Sequence, residues 1–284
     1  MANYSVLRTP YWINQTAPLF VVQHLPQSAS VSKTAVIILN SGFLHNVGPY
    51  RLSVDLADAI SSLGFVVVRV DQSGKGDSPV RDDLAGREAK LQDFDEVFAH
   101  LKETYGVSEC ILIGLCSGAD DALEIAEMRD TVTGLVFLDG FSPVTFGYYF
   151  HHYFTRIRYI RSWLRWKKRI KAKRAKELEG GSELQCSTSA FNAVISLRRW
   201  SDERAVKLMY ESVLERGVKI MAVFTGGAGD YYNHSNQLSK GLSSSTVGLH
   251  EVYFQEASHI YPNPVHRAKL VEDLKAWVSA QFVK

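Results

Sequence analysis

Six runs of aliphatic and β-branched residues punctuate the chain: "TAVIILN" ending at Asn40, "FVVVRVD" at Asp71, "ECILIG" at Gly114, "GLVFLD" at Asp139, "VKIMAVFT" at Thr225 and "LHEVYFQ" at Gln255. Each is a strand candidate, and together they read as strands of a sheet covered on both faces by helices. Between them apolar residues return every three or four places, at Leu52, Leu56 and Ile60, at Phe94, Val97, Phe98 and Leu101, and at Leu270, Leu274, Trp277 and Val278. Those are the buried stripes of helices. Strands alternating with helices predict an α/β architecture with a mostly parallel central sheet flanked by helices. Ahead of the first run, "PYWINQ" and "PLFVVQHLP" predict a two-stranded antiparallel start, with Pro18 and Pro26 at strand ends.

The alternation breaks between residues 140 and 201. An insertion of that size between two strands, aromatic early and basic later, predicts a helical cap over the sheet ends, with "EGGSE" from Glu179 to Glu183 as a hinge or loop. The expected organisation is therefore a core of residues 1–139 and 202–284 carrying a cap of residues 140–201.

Composition narrows the class. With 284 residues, 46% hydrophobic and 22% charged, the chain can bury a large core. The net charge of +2 hides an asymmetry: eleven Arg or Lys and no Asp or Glu fall between Thr155 and Lys176, so the rest of the chain is acidic. No signal peptide and no spanning helix are expected, because no long uncharged apolar run is found. Cys110, Cys116 and Cys186 have no metal-ligand spacing, and their odd number leaves at least one unpaired within the chain. That fits a reducing cytoplasm, and neither a metal nor a cofactor is expected. "SGKGDS" lacks the earlier glycine of a phosphate-binding loop, and "GGAGDYY" lacks the dinucleotide fingerprint and its helix.

In parallel sheets reactive groups gather at the carboxyl ends of strands. "LIGLCSGADD" puts Cys116 between Gly114 and Gly118, after a strand and before a helix, where a sharp turn presents a nucleophile and the helix N-terminus favours a thiolate. Ser117 is one place out of that register. Its backbone N–H, with that of Phe43 in "NSGFLH", is the expected oxyanion hole. His259 follows the last strand and is the expected base. Asp230, after the penultimate strand, is the preferred acid to orient it, with Asp139 as the rival. His45 lies near the expected mouth.

The elbow, the "SGF" turn, the "DQSGKGDS" run from Asp71 to Ser78, Asp230 and His259 together resemble the α/β-hydrolase superfamily over most of the chain. More narrowly, "NSGFLHNVGPYRLSVDLADAISSLGF", "GLCSGADDA" and the aromatic then basic cap resemble the exosortase A system-associated hydrolases. The resemblance implies an α/β-hydrolase fold and a catalytic triad without a defined substrate. Dienelactone hydrolase and the polyhydroxyalkanoate synthases, which carry Cys in this elbow, are similar at the motif alone.

Sulfur in the elbow implies covalent acyl chemistry on an ester or thioester, ending in hydrolysis or in transfer. The basic run 155–176 reads as a solvated helix face, as a contact with an anionic membrane that makes the protein peripheral, or as a dock for an acyl carrier protein. Nucleic acid is not an expected partner. The aromatic run "FGYYFHHYF" from Phe146 to Phe154 suggests an apolar entry. The alternative is a catalytically silent binding protein for an acyl ligand, in which Cys marks lost chemistry.

Overall fold

In a computed structural model, the chain folds around one eight-stranded sheet. The structure describes residues 6–26, 32–151, 202–229, 231–243 and 245–283. The strands are β1 (Leu7–Ile13), β2 (Leu19–Leu25), β3 (Thr34–Ile38), β4 (Val67–Val70), β5 (Glu109–Leu115), β6 (Val132–Leu138), β7 (Lys219–Thr225) and β8 (Leu249–Phe254), in the spatial order β1-β2-β4-β3-β5-β6-β7-β8. β1 and β2 pair antiparallel, as does β2 with β4. Every other neighbour is parallel. All six strands read from the apolar runs are present, and so is the antiparallel start. β1 begins earlier than the sequence suggested, so Pro10 lies inside it opposite Val22. An edge strand tolerates a residue that cannot donate to the ladder.

Burial explains the uniform apolar runs. Every residue of β3 and β4 is buried. Alternate side chains of each strand enter different cores. Ala35, Ile37, Cys110, Leu112, Leu135 and Phe137 face helices α2 (Gly86–Tyr105), α3 (Ser117–Met128) and α4 (Glu203–Glu215). Val36, Ile38, Ile111, Ile113, Val136 and Val223 face α1 (Leu52–Ser61) and α6 (Pro264–Phe282). The helical stripes read from the sequence lie inside these two cores, with Phe94 and Leu101 on one side and Leu56 and Leu274 on the other. A short α5 (Gln237–Gly241) is tied down by Glu251 of β8, which accepts from Leu238 N at 2.9 Å and from Tyr232 Oη at 2.8 Å.

Because the central strands are parallel, the segments after β3, β4, β5, β6, β7 and β8 all emerge on one edge of the sheet. Residues 152–201, which include most of the expected cap and all of the basic run, lie outside the described residues. Before them the chain turns helical from residue 146.

Candidate active site

At the end of β5 the backbone makes a turn that ordinary residues avoid. Cys116 sits at φ 56°, ψ −120°, in the left-handed half of conformational space, and α3 starts at the next residue. A non-glycine residue there is strained, and such strain persists where surrounding structure holds it. Two glycines provide the hold. A Cβ on Gly114 would lie 2.1 Å from the Gly118 carbonyl oxygen, and one on Gly118 would lie 2.3 Å from the Asn40 carbonyl oxygen. Helix and strand therefore close to a distance that no side chain permits. Cys116 N donates to Leu138 O at 2.8 Å, while Cys116 O accepts from Ala119 N at 3.0 Å. The thiol is held at the N-terminus of α3, where free N–H groups stabilise negative charge. Cys110, by contrast, is fully buried in β5 and its thiol is pushed up by desolvation. Cys186 lies outside the described residues.

His259, after β8, meets both neighbours a base needs. Its Nδ1 donates to Asp139 Oδ2 at 2.7 Å, and its ring is hydrogen-bonded to Cys116. Burial disfavours the charged imidazolium, yet the hydrogen bonds to Asp139 and Cys116 and the charges of both outweigh it. The His259 pKa is pushed up to about 9. Such a pair favours thiolate and imidazolium over thiol and imidazole.

The carboxylate on the imidazole is thus that of Asp139, the rival in the sequence reading. Asp230, the preferred acid, lies outside the described residues. Asp139 ends β6 at φ 52° and is completely buried. Its Oδ1 accepts from Thr225 N at 2.7 Å and its Oδ2 from Thr225 Oγ1 at 2.8 Å. β6 and β7 are adjacent, with Leu138 opposite Val223, so both strand ends are within reach of one imidazole.

The loop after β3 is stitched to the elbow and to the loop after β4. Gly42 N donates to Ser117 Oγ at 2.7 Å, and the turn through Phe43 is closed by Leu44 N to Ser41 O at 2.9 Å. The Ser117 hydroxyl is thereby engaged with the backbone of that loop, and Phe43 is 77% exposed. Behind it, buried Asp71 accepts from Asn40 Nδ2 (2.7 Å), Asn46 N (2.7 Å), Asn46 Nδ2 (2.8 Å) and Asp77 N (3.1 Å). Asn40 Oδ1 in turn accepts from Gln72 N at 2.7 Å.

The sequence reading did not single out the next layer. Arg69, buried in the middle of β4, donates to Asn46 O at 3.0 Å and to His24 Nε2 at 2.8 Å, and His24 Nδ1 donates to Asp58 Oδ1 at 2.8 Å. Desolvation lowers the Arg69 pKa to about 10 and also lowers that of His24. The signal was available in "VVVRVD": a guanidinium inside a buried strand requires internal acceptors.

His45 Nε2 lies 2.8 Å from Asp77 Oδ2 and 3.4 Å from Asp71 Oδ2. Among the described residues this is the one His and carboxylate group compact enough to share an ion. Asp71 already accepts four N–H groups, so the donor set is poorly suited to a metal.

Comparison with known proteins gives the family and the fold. A family model described as serine aminopeptidase, S33, matches residues 32–199, more than half of the chain, and the protein belongs to that family within the α/β-hydrolases. Among solved structures, a hypothetical protein from Pseudomonas aeruginosa aligns with TM-score 0.62 at 14% identity, covering 98% of this chain and 94% of that one. An α/β serine hydrolase without lid from Xanthomonas campestris aligns with TM-score 0.58 at 13% identity, over 98% and 96%. Dienelactone hydrolase from Anabaena variabilis aligns with TM-score 0.55 at 11% identity, over 97% and 98%. At these identities the likeness is one of fold. No curated protein matches in sequence. Among the described residues no helix is long and apolar enough to cross a membrane.

Proposed function

We propose that the protein is an acyl-transfer enzyme, an ester or thioester hydrolase or acyltransferase, with Cys116 as nucleophile. The observation that carries this reading is the hydrogen-bonded series Cys116, His259, Asp139 with the sulfur on a strained strand-to-helix turn.

The Cys116 thiolate attacks the substrate carbonyl carbon, forming the C–S bond while the carbonyl electron pair moves to oxygen. The N–H groups of Ser117 and Phe43 receive that oxyanion. The tetrahedral intermediate collapses and expels the leaving alkoxide or thiolate, which takes the proton held on His259 Nε2. The product is an acyl thioester, still activated toward nucleophiles. Water, an alcohol or an amine then attacks it, His259 accepts the attacker's proton, and the thiolate departs. Asp139 holds the ring in the tautomer with hydrogen on Nδ1 and stabilises the imidazolium. Asp230 stays outside this scheme because Asp139 already occupies Nδ1. The relation to exosortase-associated hydrolases rests on sequence resemblance, and the carrier or anionic-surface role of residues 155–176 rests on charge alone.

The test is turnover of p-nitrophenyl and acyl-thioester substrates, with Cys116→Ala as control. Turnover lost in Cys116→Ala with an unchanged unfolding midpoint supports the reading. Equal turnover in both proteins would remove Cys116 as the nucleophile, and no turnover in the wild type over a range of acyl lengths would favour the silent binding protein.

A further inference from the structure

At the end of β7, a few residues before Asp230, stand Thr225, Gly226 and Gly227. We infer that this Thr-Gly-Gly corner is the positioning element of the Asp139–His259 pair, with Thr225 as a positioning residue. The inference rests on the Cys116–His259 reading above and extends it to residues that touch neither sulfur nor substrate.

Two independent sets of contacts carry it. First, Thr225 is completely buried and gives both of its donors to one carboxylate, the backbone N–H to Oδ1 and the hydroxyl to Oδ2. Oδ2 is also the oxygen bonded to His259. The carboxylate plane is thereby fixed, with the remaining acceptor direction of Oδ2 aimed at the imidazole. Second, the two glycines press on the loop that carries the base. A Cβ on Gly227 would lie 2.4 Å from His259 N, and one on Gly226 would lie 2.0 Å from Gln255 O. Gly227 N also donates to Ala257 O at 3.2 Å. One corner therefore sets the acid through hydrogen bonds and the base through close backbone approach. A longer side chain at 226 or 227 would push His259 away from both partners.

The titratable groups around the pair leave a simple electrostatic picture. Cys116 faces His259 from the elbow and Asp139 faces it from β6, while Tyr253 of β8 and Tyr261 after it lie near Asp139 with their phenols pushed up by burial. Both phenols stay neutral through the working range. The position of the Asp139 carboxylate then governs how well the imidazolium, and with it the thiolate, is stabilised.

The experiment reads Cys116 directly. The rate of carbamidomethylation by iodoacetamide is followed from about pH 5 to 10 by intact mass and peptide mapping in the full-length wild type, Thr225→Val, Thr225→Ala, Thr225→Ser and Asp139→Asn. Freeing the carboxylate weakens the ion pair, so thiolate forms at higher pH. We expect the midpoints of the Thr225→Val and Thr225→Ala profiles to move up by about one pH unit, so that on the acid limb below the wild-type midpoint they react about tenfold more slowly, and to recover the wild-type rate at high pH. Thr225→Ser should restore the wild-type profile, and Asp139→Asn should lose at least as much on that limb as Thr225→Val. Recovery at high pH separates positioning from misfolding, which lowers the rate at every pH. Wild-type profiles for both Thr225→Val and Thr225→Ala, or a pH-independent loss in whichever of them folds, would overturn the inference while leaving the Cys116–His259 pair intact. A wild-type profile with ordinary thiol behaviour that is unchanged in His259→Gln would instead remove the pair, and this inference with it.

Discussion

At the scale of single residues, Cys116 and Ser117 are neighbours with opposite duties. The strained φ belongs to Cys116, while the Ser117 hydroxyl is committed to Gly42 N. A serine-directed fluorophosphonate should therefore leave the protein unmodified, while iodoacetamide should label it. Peptide mapping is expected to find the label on Cys116 and none on Cys110, whose desolvated thiol resists ionisation. A fluorophosphonate adduct on Ser117 would contradict the assignment. The sequence register between Gly114 and Gly118 already pointed to sulfur. It ranked Asp230 ahead of Asp139, whereas the carboxylate on the ring is that of Asp139, because the way a strand end meets the loop carrying His259 leaves no local pattern in the sequence.

At the scale of elements, the site is a set of strand ends locked to one another, and the locks are more demanding than the catalytic side chains. Gly118→Ala would drive a Cβ into the Asn40 carbonyl, a backbone atom that cannot swing aside. Relieving that overlap should cost about 3 kcal/mol or more, read as a lower urea midpoint with an unchanged denaturant slope. Asp71→Ala tests a different lock. It leaves donors on Asn40, Asn46 and Asp77 without their acceptor, and it frees the loop carrying Phe43. Loss of about one oxyanion donor's worth of stabilisation predicts a kcat fall of roughly 100-fold with little change in KM. An unchanged kcat would separate the loop from catalysis. The central strands β3 to β7 could be read from sequence because burial on both faces makes them aliphatic runs broken at few positions, such as Arg69, while β8 is half-exposed and shows in its β-branched and aromatic residues. The hydrogen-bonded stitching could not, because Asn40, Asn46 and Asp71 carry no local pattern and meet only when β3 and β4 pair.

At the scale of the whole molecule, two histidines with opposite shifts, His24 fully buried and His259 half-buried, shape stability against pH. His259 binds its proton more tightly folded than unfolded, with a folded pKa of about 9 against about 6.5 in an open chain. Its contribution is complete below about pH 6.5 and is lost as pH rises from there through about 9, but the partner thiolate, which takes up a proton on unfolding below about pH 8.5, offsets most of that loss, so the net decline is well under about 3 kcal/mol and is concentrated above about pH 8. His24 behaves in the reverse sense. Burial lowers its pKa, the neutral ring donates to Asp58 and accepts from Arg69, and unfolding lets it take up a proton. Its contribution is present above about pH 6.5 and is lost as pH falls through its lowered value. The two limbs meet between them, so the urea midpoint should peak close to neutrality and decline on both sides. His259→Gln should flatten the alkaline decline and leave the acid one in place, because the two rings lie in separate networks at opposite sides of the Cys116 elbow. An alkaline decline of equal size in the wild type and in His259→Gln would show that the imidazolium at the active site is not held by Asp139 and Cys116 as described.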